Sequence, residues 1–126
     1  MQDRFKFRVW YNPQPTYDDY PKMLYDAENT YDFMRTPDLI PADSFGELLE
    51  DKDFIVMQCT GLKDKNGKLI YEGDIVNYSC LPGYSDIYAC TFNNGSFLIG
   101  GLLISNTHLK SEVIGNIYEN KELLNE

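Results

Sequence analysis

The sequence contains a single histidine, His108, and only eleven basic residues against twenty acidic ones, a formal net charge of −9. One histidine argues against histidine-based metal sites and against acid–base catalysis. Nucleic-acid affinity comes mostly from phosphate neutralisation by Lys and Arg, so an acidic chain is poorly suited to bind DNA or RNA. We therefore expect no metal, no other cofactor and no nucleic-acid partner.

Cysteines and long apolar runs are also scarce. Cys59, Cys80 and Cys90 are odd in number, share no C-x-x-C spacing and each lie in an apolar stretch. This pattern predicts reduced, buried thiols in a cytosolic protein. No stretch approaches the ~20 apolar residues that span a membrane, and the amino terminus lacks the apolar run of a signal peptide. We expect a cytoplasmic protein without membrane association.

No catalytic constellation is visible in the sequence. A Cys90–His108 pair would need a third group to orient the base, and nothing in the sequence marks one. Carboxylates are plentiful, but no local pattern singles out an acid–base pair. We expect that the protein is not an enzyme, with no catalytic residues.

The composition that remains is that of a folded β protein. The chain has 126 residues, 43% of them hydrophobic and 14% aromatic, which suits one domain over 1–126 with a hydrophobic core. The amino-terminal "RFKFRVW" alternates, with Phe5, Phe7 and Val9 on one face of a strand and Arg4, Lys6 and Arg8 on a solvated face. A second short strand is expected near 23–26.

From residue 54 onward almost every segment is typical of strands. "FIVMQCT" is apolar throughout, "DIVNYSC" alternates, "DIYACTF" and "SFLIGGLLI" flank Asn93-Asn94-Gly95 as a hairpin, and "EVIGNIY" forms a last strand. One or two short helices are expected. The first has a capping box formed by Ser44 and Glu47, and the second lies in the tail with Asn120 as N-cap.

Dense turn signals lie between residues 58 and 78. We interpret them as corners of a β domain: Gly61 at a corner, Asn66-Gly67 as a type I′ hairpin turn, and Gly73-Asp74 where the next strand begins. Asn94-Gly95 is the corresponding turn of the later hairpin. An oxygen-rich Ca²⁺ site at Asp64, Asn66, Glu72 and Asp74 does not fit EF-hand spacing, and the glycines open strands rather than a phosphate-binding helix.

The same residues carry a family resemblance. "MQCTG" followed by "LKDKNGKLIYEGDIV" (57–76) resembles the signature of the YopX family of small phage and prophage proteins. "KFRVW" (6–10) is similar to the family's "KFRAW" strand, and "EVIGNIYENKELL" (112–124) to its "VIGNIYENPELL". Lys121 stands where the family often has Pro, which is consistent with a short helix after Asn120. Residues 11 to 53 match the family poorly.

The resemblance implies a mostly β fold with a small barrel similar to SH3-like barrels, which we place at 54–126 with an irregular part at 1–53. It implies no established activity and no catalytic residues. We therefore expect a phage or prophage accessory protein of the host cytoplasm that acts by protein–protein contact, for example on a host factor. The alternative is a single-stranded nucleic-acid-binding β-barrel protein that stacks bases on Trp10 and tyrosines.

The segment "FLIGGLLI" (97–104) carries an expectation about assembly. Read as one strand, it is apolar on both faces, whereas a strand in a small barrel normally has a polar outer face. The amino-terminal half of the chain or a second subunit must then cover it. We expect a homo-oligomer rather than a monomer.

Overall fold

The computed structural model describes residues 5–13, 21–27 and 52–124. This part of the chain is mainly β, as predicted, and it contains no α-helix and no helix long and apolar enough to cross a membrane. Three short 3₁₀ turns are present, at Ile104–Asn106, His108–Lys110 and Lys121–Leu124. The strands are β1 (Phe7–Tyr11), β2 (Lys22–Tyr25), β3 (Phe54–Lys63), β4 (Leu69–Tyr71), β5 (Asp74–Leu81), β6 (Tyr84–Asn93), β7 (Ser96–Ile99), β8 (Leu102–Leu103) and β9 (Ser111–Asn116).

The chain divides into two compact units, Met1–Gln58 and Cys59–Glu126, and the division falls inside β3. In the first unit β1 pairs antiparallel with β2 on one side and with the first half of β3 on the other. Val9, Tyr11, Ala27 and Phe54 form its buried cluster. The predicted strand near 23–26 is confirmed as β2, whereas the division into 1–53 and 54–126 stays a prediction.

Arg8 does not lie on a solvated face. It is 1% exposed, and the side chain of its cross-strand partner Tyr25 lies against it. The guanidinium carbon lies 5.9 Å from the centre of the Tyr25 ring, and Nη1 donates a hydrogen bond to the Tyr25 hydroxyl at 3.5 Å. The alternation of side chains along β1 was predicted correctly, but the prediction that Arg8 faces solvent was wrong.

The second unit contains an antiparallel sheet in the order β8-β7-β6-β5-β9, which curls as part of a barrel. One face of this sheet carries the core, which consists of Ile70, Val76, Cys90, Ile99 and Ile104. The second half of β3 pairs with β4 beside it within the same unit. Predicted strands at 54–60, 74–80, 86–92 and 112–118 all fall on strands of the structure, apart from the last residues of the fourth segment.

The segment 97–104 is not one strand. Gly100 and Gly101 both have positive φ, at 60° and 79°, and Ile99 pairs with Leu102 across them. This is a two-residue hairpin turn of the type I′ kind, which requires positive φ at both central residues. The chain therefore reverses at the glycines, so the predicted alternation of faces is wrong beyond Ile99, and Leu102 and Leu103 form a short edge strand.

The predicted helices have different outcomes. The Ser44–Glu47 capping box lies outside the described residues. The tail forms a 3₁₀ turn at Lys121–Leu124, in which the Leu123 N–H donates to the Asn120 carbonyl. Asn120 does not use its side chain as an N-cap, because its Oδ1 accepts the backbone N–H of Asn116 at 3.1 Å.

The Gly-Gly turn provides a matched pair of substitutions. A Cβ at Gly101 would meet nothing within 4 Å, whereas a Cβ at Gly100 would lie 3.0 Å from the Tyr88 ring. We expect Gly101→Ala to lower the free energy of unfolding by ~1 kcal/mol through backbone strain alone. We expect Gly100→Ala to cost about twice that, because the ring must also move. Urea unfolding of both variants measures the difference, and equal losses would show that Tyr88 adjusts freely.

Candidate functional site

Asp64 follows the β3 strand inside the 57–76 motif, and its carboxylate accepts three backbone N–H groups. Oδ1 accepts the backbone N–H groups of Asn66 and Lys68, both at 2.9 Å. Oδ2 accepts the N–H of Val113 in β9 at 2.8 Å. Asp64 is only 3% exposed, so these bonds replace the water that it loses.

These bonds decide the charge state of Asp64. Burial alone would raise the pKa of the carboxyl group, because the charged form is poorly solvated. The three donated N–H bonds and the ammonium group of Lys68 outweigh burial and hold the pKa of Asp64 below its ordinary value. The carboxylate is therefore ionised throughout the neutral range, and it holds a turn rather than exchanging protons.

The loop that contains Asp64 also contacts the segment 108–113 through its backbone. The Lys65 N–H donates to the Ser111 carbonyl at 2.9 Å, and His108 Nδ1 lies 2.7 Å from the Lys63 carbonyl oxygen. That second contact requires the proton on Nδ1. His108 is therefore half-buried and hydrogen-bonded to the backbone.

The Asn66-Gly67 turn differs from the predicted type I′ turn. Gly67 has φ +85°, but Asn66 is not among the described non-glycine residues with positive φ. The Gly67 N–H donates to the Asp64 carbonyl, and the Asp64 N–H donates to the Lys68 carbonyl. This is a four-residue turn from Asp64 to Gly67 with glycine in the left-handed position. The Asp64 side chain selects it by binding the N–H groups of Asn66 and Lys68.

Gly61 lies within β3 rather than at a corner. The pairing of β3 with β4 shifts register between Cys59 and Lys63, and Gly61 has φ +82° within that irregular stretch. Thr60 Oγ1 donates to the Ile70 carbonyl at 2.8 Å across the same irregularity. Gly61 therefore supplies a bulge that increases the local twist of the strand.

The remaining predicted turn residues lie where strands meet. Gly73, at φ +88°, separates β4 from β5, and Asp74 Oδ2 accepts the Tyr71 N–H at 2.7 Å. The backbone of Gly73 is held from two sides, since its N–H donates to Cys90 and its carbonyl accepts from Ile117. A side-chain carboxylate thus supports this turn as well.

Asn94 and Gly95 connect β6 to β7 as a two-residue turn. Their φ values are 52° and 81°, and Asn93 pairs with Ser96 across them. This is the type I′ geometry that was predicted for an Asn-Gly turn. It places Phe92 against Phe97, with ring centres 4.9 Å apart.

The structure does not group the carboxylates of the Ca²⁺ site that was considered and rejected from the sequence. Among residues 5–13, 21–27 and 52–124, no three His, Cys, Asp or Glu side chains lie close enough together to hold a metal ion. Asp64 and Asp74 are bound to separate backbone turns. Cys59 and Cys90 are buried as predicted, but Cys80 is exposed because it lies near the end of β5.

The β5–β6 hairpin tip, residues 79–86, carries surface chemistry that the sequence analysis did not single out. Leu81 is 64% exposed and Tyr84 is 58% exposed. Tyr84, Asp86 and Tyr88 alternate along β6 and so share one face, where the Tyr88 hydroxyl donates to Asp86 Oδ2 at 3.4 Å. A signal was available, because Asp86 is the only formally charged residue between Asp74 and Lys110.

Asp86 affects both tyrosines. A hydrogen bond to Asp86 and the negative charge of its carboxylate raise the pKa of Tyr84. The same charge raises the pKa of Tyr88. Both phenols therefore stay protonated at neutral pH and act as hydrogen-bond donors beside one carboxylate.

A surface cleft of about 400 Å³ lies on the second unit, where the tail approaches β5 and β6. The buried Oδ1 atom of Asn77 has no hydrogen-bond partner within the described part of the chain. The residues lining the cleft are Asn77, Ser85, Asp86, Ile87, Leu123 and Leu124.

The fold and these surfaces define a small, turn-rich β protein whose buried carboxylates support its corners. Comparison with known proteins agrees with this class. The YopX protein family model matches residues 6–125, so the chain belongs to the YopX family. The predicted resemblance is therefore confirmed over nearly the whole chain.

Two crystal structures are similar to the structure of this chain. Protein EF1440 from Enterococcus faecalis has 27% identity and a TM-score of 0.52, with 94% of this chain and 96% of that chain covered. Protein yopX from Bacillus subtilis has 19% identity and a TM-score of 0.50, with coverage of 96% and 98%. No curated protein matches the chain. The comparisons therefore establish family and fold.

Asp64→Asn tests the carboxylate of the loop. An amide has one acceptor oxygen, and its NH₂ group would face a backbone donor, so we expect a loss of ~2–3 kcal/mol in the free energy of unfolding at pH 7. The matched Asp86→Asn substitution removes an exposed carboxylate and should cost little. Urea unfolding of both variants measures the two losses.

The effect of Asp64 should depend on pH in one direction. Its folded pKa lies below its unfolded value of about 3.9, so its stabilisation is complete above that value and is lost as pH falls through the folded pKa. The difference between wild type and Asp64→Asn should therefore be widest at neutral pH and narrow below about pH 4. A difference that stays constant down to pH 2 would contradict the assigned role.

Proposed function

We propose that this YopX-family protein is a phage or prophage accessory protein of the host cytoplasm that acts by binding another protein, without catalysis. The observation that carries the proposal is the exposure of apolar side chains in the second unit, including two groups in its sheet. Leu81 and Tyr84 lie at the β5–β6 tip, and Leu102 and Leu103 lie on the β8 edge strand. Exposed apolar surface of this kind is typical of protein contact sites.

The chemistry of the buried polar groups favours binding over catalysis. Asp64 and Asp74 each accept backbone N–H groups that define turns, and His108 is bonded to a backbone carbonyl. A catalytic base needs a free acceptor facing a substrate. The buried carboxylates of the motif are instead structural, which leaves the exposed surface as the part of the second unit suited to recognition.

Self-association is the second part of the proposal, and β8 is the strand that favours it. Among the described strands β8 pairs only with β7, and its two leucines are 52% and 49% exposed. An open apolar edge strand is a template for pairing with another strand. Two copies joined through β8 would cover both leucines with one symmetric contact.

A pull-down from host lysate tests the binding function. We expect one or more specific proteins to be retained at moderate salt, and retention should survive nuclease treatment. Loss of all retained material after nuclease would favour the alternative of single-stranded nucleic-acid binding. Retention of nothing specific at low and moderate salt would contradict the proposal.

Light scattering coupled to gel filtration tests self-association. We expect a mass above the 14.6 kDa of one chain at tens of micromolar protein. Leu103→Asp should yield a smaller species, because a carboxylate cannot be buried unpaired in the contact. The matched control is Leu81→Asp, at a similarly exposed leucine of the β5–β6 tip, which should leave the mass unchanged. A single-chain mass for the wild type would end this part of the proposal.

A further inference from the structure

The β5–β6 hairpin tip is held in one shape. Gly83 has φ +79° after Pro82, the pair that a type II turn prefers at its centre. Ser79 Oγ lies 3.0 Å from the Leu81 carbonyl and 2.8 Å from the Tyr84 carbonyl, so one hydroxyl joins the two arms. A pre-shaped tip loses little entropy when it binds a partner.

The tip has a defined charge pattern on one face. Asp86 is its only charged residue, and it pairs with no cation within the described part of the chain. Tyr84 and Tyr88 flank it along β6, and register places Tyr78 of β5 directly opposite. One carboxylate therefore lies among three tyrosine side chains, beside the exposed Leu81.

This combination fits one kind of ligand group. A carboxylate accepts a guanidinium through two parallel N–H bonds, and tyrosine rings attract a cation over their faces. Arginine uses both contacts, because its planar group stacks on rings while it donates, whereas lysine is a compact and strongly hydrated point charge. The net charge of −9 on the chain would also steer a cationic segment toward it.

We propose that the Tyr84–Asp86–Tyr88 face of the β5–β6 hairpin is a docking site for an arginine-containing segment of the partner protein. Asp86 receives the guanidinium, Tyr84 stacks on it, and Leu81 contacts the apolar part of the segment. This inference rests on the proposed binding function and specifies the partner chemistry that the site recognises. The face complements a cationic group in charge, since Asp86 has no cationic partner within the described part of the chain and lies among aromatic rings.

Fluorescence anisotropy with a short labelled glycine–arginine repeat peptide tests the proposal. The comparison peptides are glycine–lysine and glycine–glutamate repeats of equal length, at low salt and at physiological salt. We expect the arginine peptide to bind about threefold more tightly than the lysine peptide. We expect the glutamate peptide not to bind.

Three variants locate the binding. Asp86→Asn should weaken the binding of the arginine peptide by about fivefold, as expected for an exposed ion pair. Tyr84→Leu keeps an apolar side chain but removes the ring, and it should weaken binding by about threefold. Glu112→Gln removes the same charge from β9, where register places it on the opposite face of the sheet, and it should change nothing.

Three results would overturn the site. Equal weakening by Asp86→Asn and Glu112→Gln would indicate attraction to the net charge alone. Equal binding of arginine and lysine peptides, with no effect of Tyr84→Leu, would remove the guanidinium assignment. No change in the anisotropy of the labelled arginine peptide, when wild-type protein is added up to millimolar concentration, would exclude the site directly. Melting temperatures of all variants check that each is folded.

The lysate pull-down separates this site from the broader function. A partner retained equally by wild type and Asp86→Asn would leave the binding function intact and place it on another surface. A partner that the wild type retains and Asp86→Asn loses would support both the binding function and the docking site. Retention of no specific partner by the wild type would count against the proposed function itself, whatever the peptides do.

Discussion

The β3–β4 loop and its contact with β9 in the second unit depend on the hydrogen bonds of the buried Asp64 carboxylate. A carboxylate out of water is costly unless its oxygens are fully bonded, and here three backbone N–H groups supply those bonds. Two of them shape the β3–β4 loop and the third belongs to β9. One side chain therefore determines both the form of a turn and the strand against which that turn lies.

The same contact closes one edge of the sheet. Lys65 and Asp64 bond to the backbone of Ser111 and Val113 on the side of β9 away from β5, so this edge is not available to another chain. The β8 edge is short and exposes two leucines. The β8 edge and the β5–β6 tip are two exposed surfaces that suit recognition, whereas Asp64 and Asp74 of the central motif bond to backbone turns.

The two surfaces have different chemistry, which separates the roles proposed for them. The β8 edge is apolar and suits a symmetric contact between copies of the chain. The tip combines exposed tyrosine with the lone carboxylate of Asp86 and suits a cationic group. A protein with both surfaces can assemble with itself and still bind a different partner.

The local sequence pattern was sufficient to predict a strand or a turn wherever that element depends only on neighbouring residues in the chain. The alternation around Val9 determined β1, and Asn94-Gly95 determined a type I′ turn, because φ preference and strand periodicity are properties of the segment itself. The mainly β class and the family followed from patterns of the same kind. Within the central motif the chain turns at Gly67 and at Gly73, as expected of corners, whereas Gly61 lies within β3.

Only the tertiary structure decided what lies opposite each segment. It buried Arg8 beneath Tyr25, exposed Cys80, and turned the chain back at Gly100 and Gly101, where the sequence looked like one strand. Asp64 and Asn66 belong to the same motif, yet the turn they form depends on side-chain bonds that also reach β9. Such bonds join residues 49 positions apart, and no local periodicity contains that information.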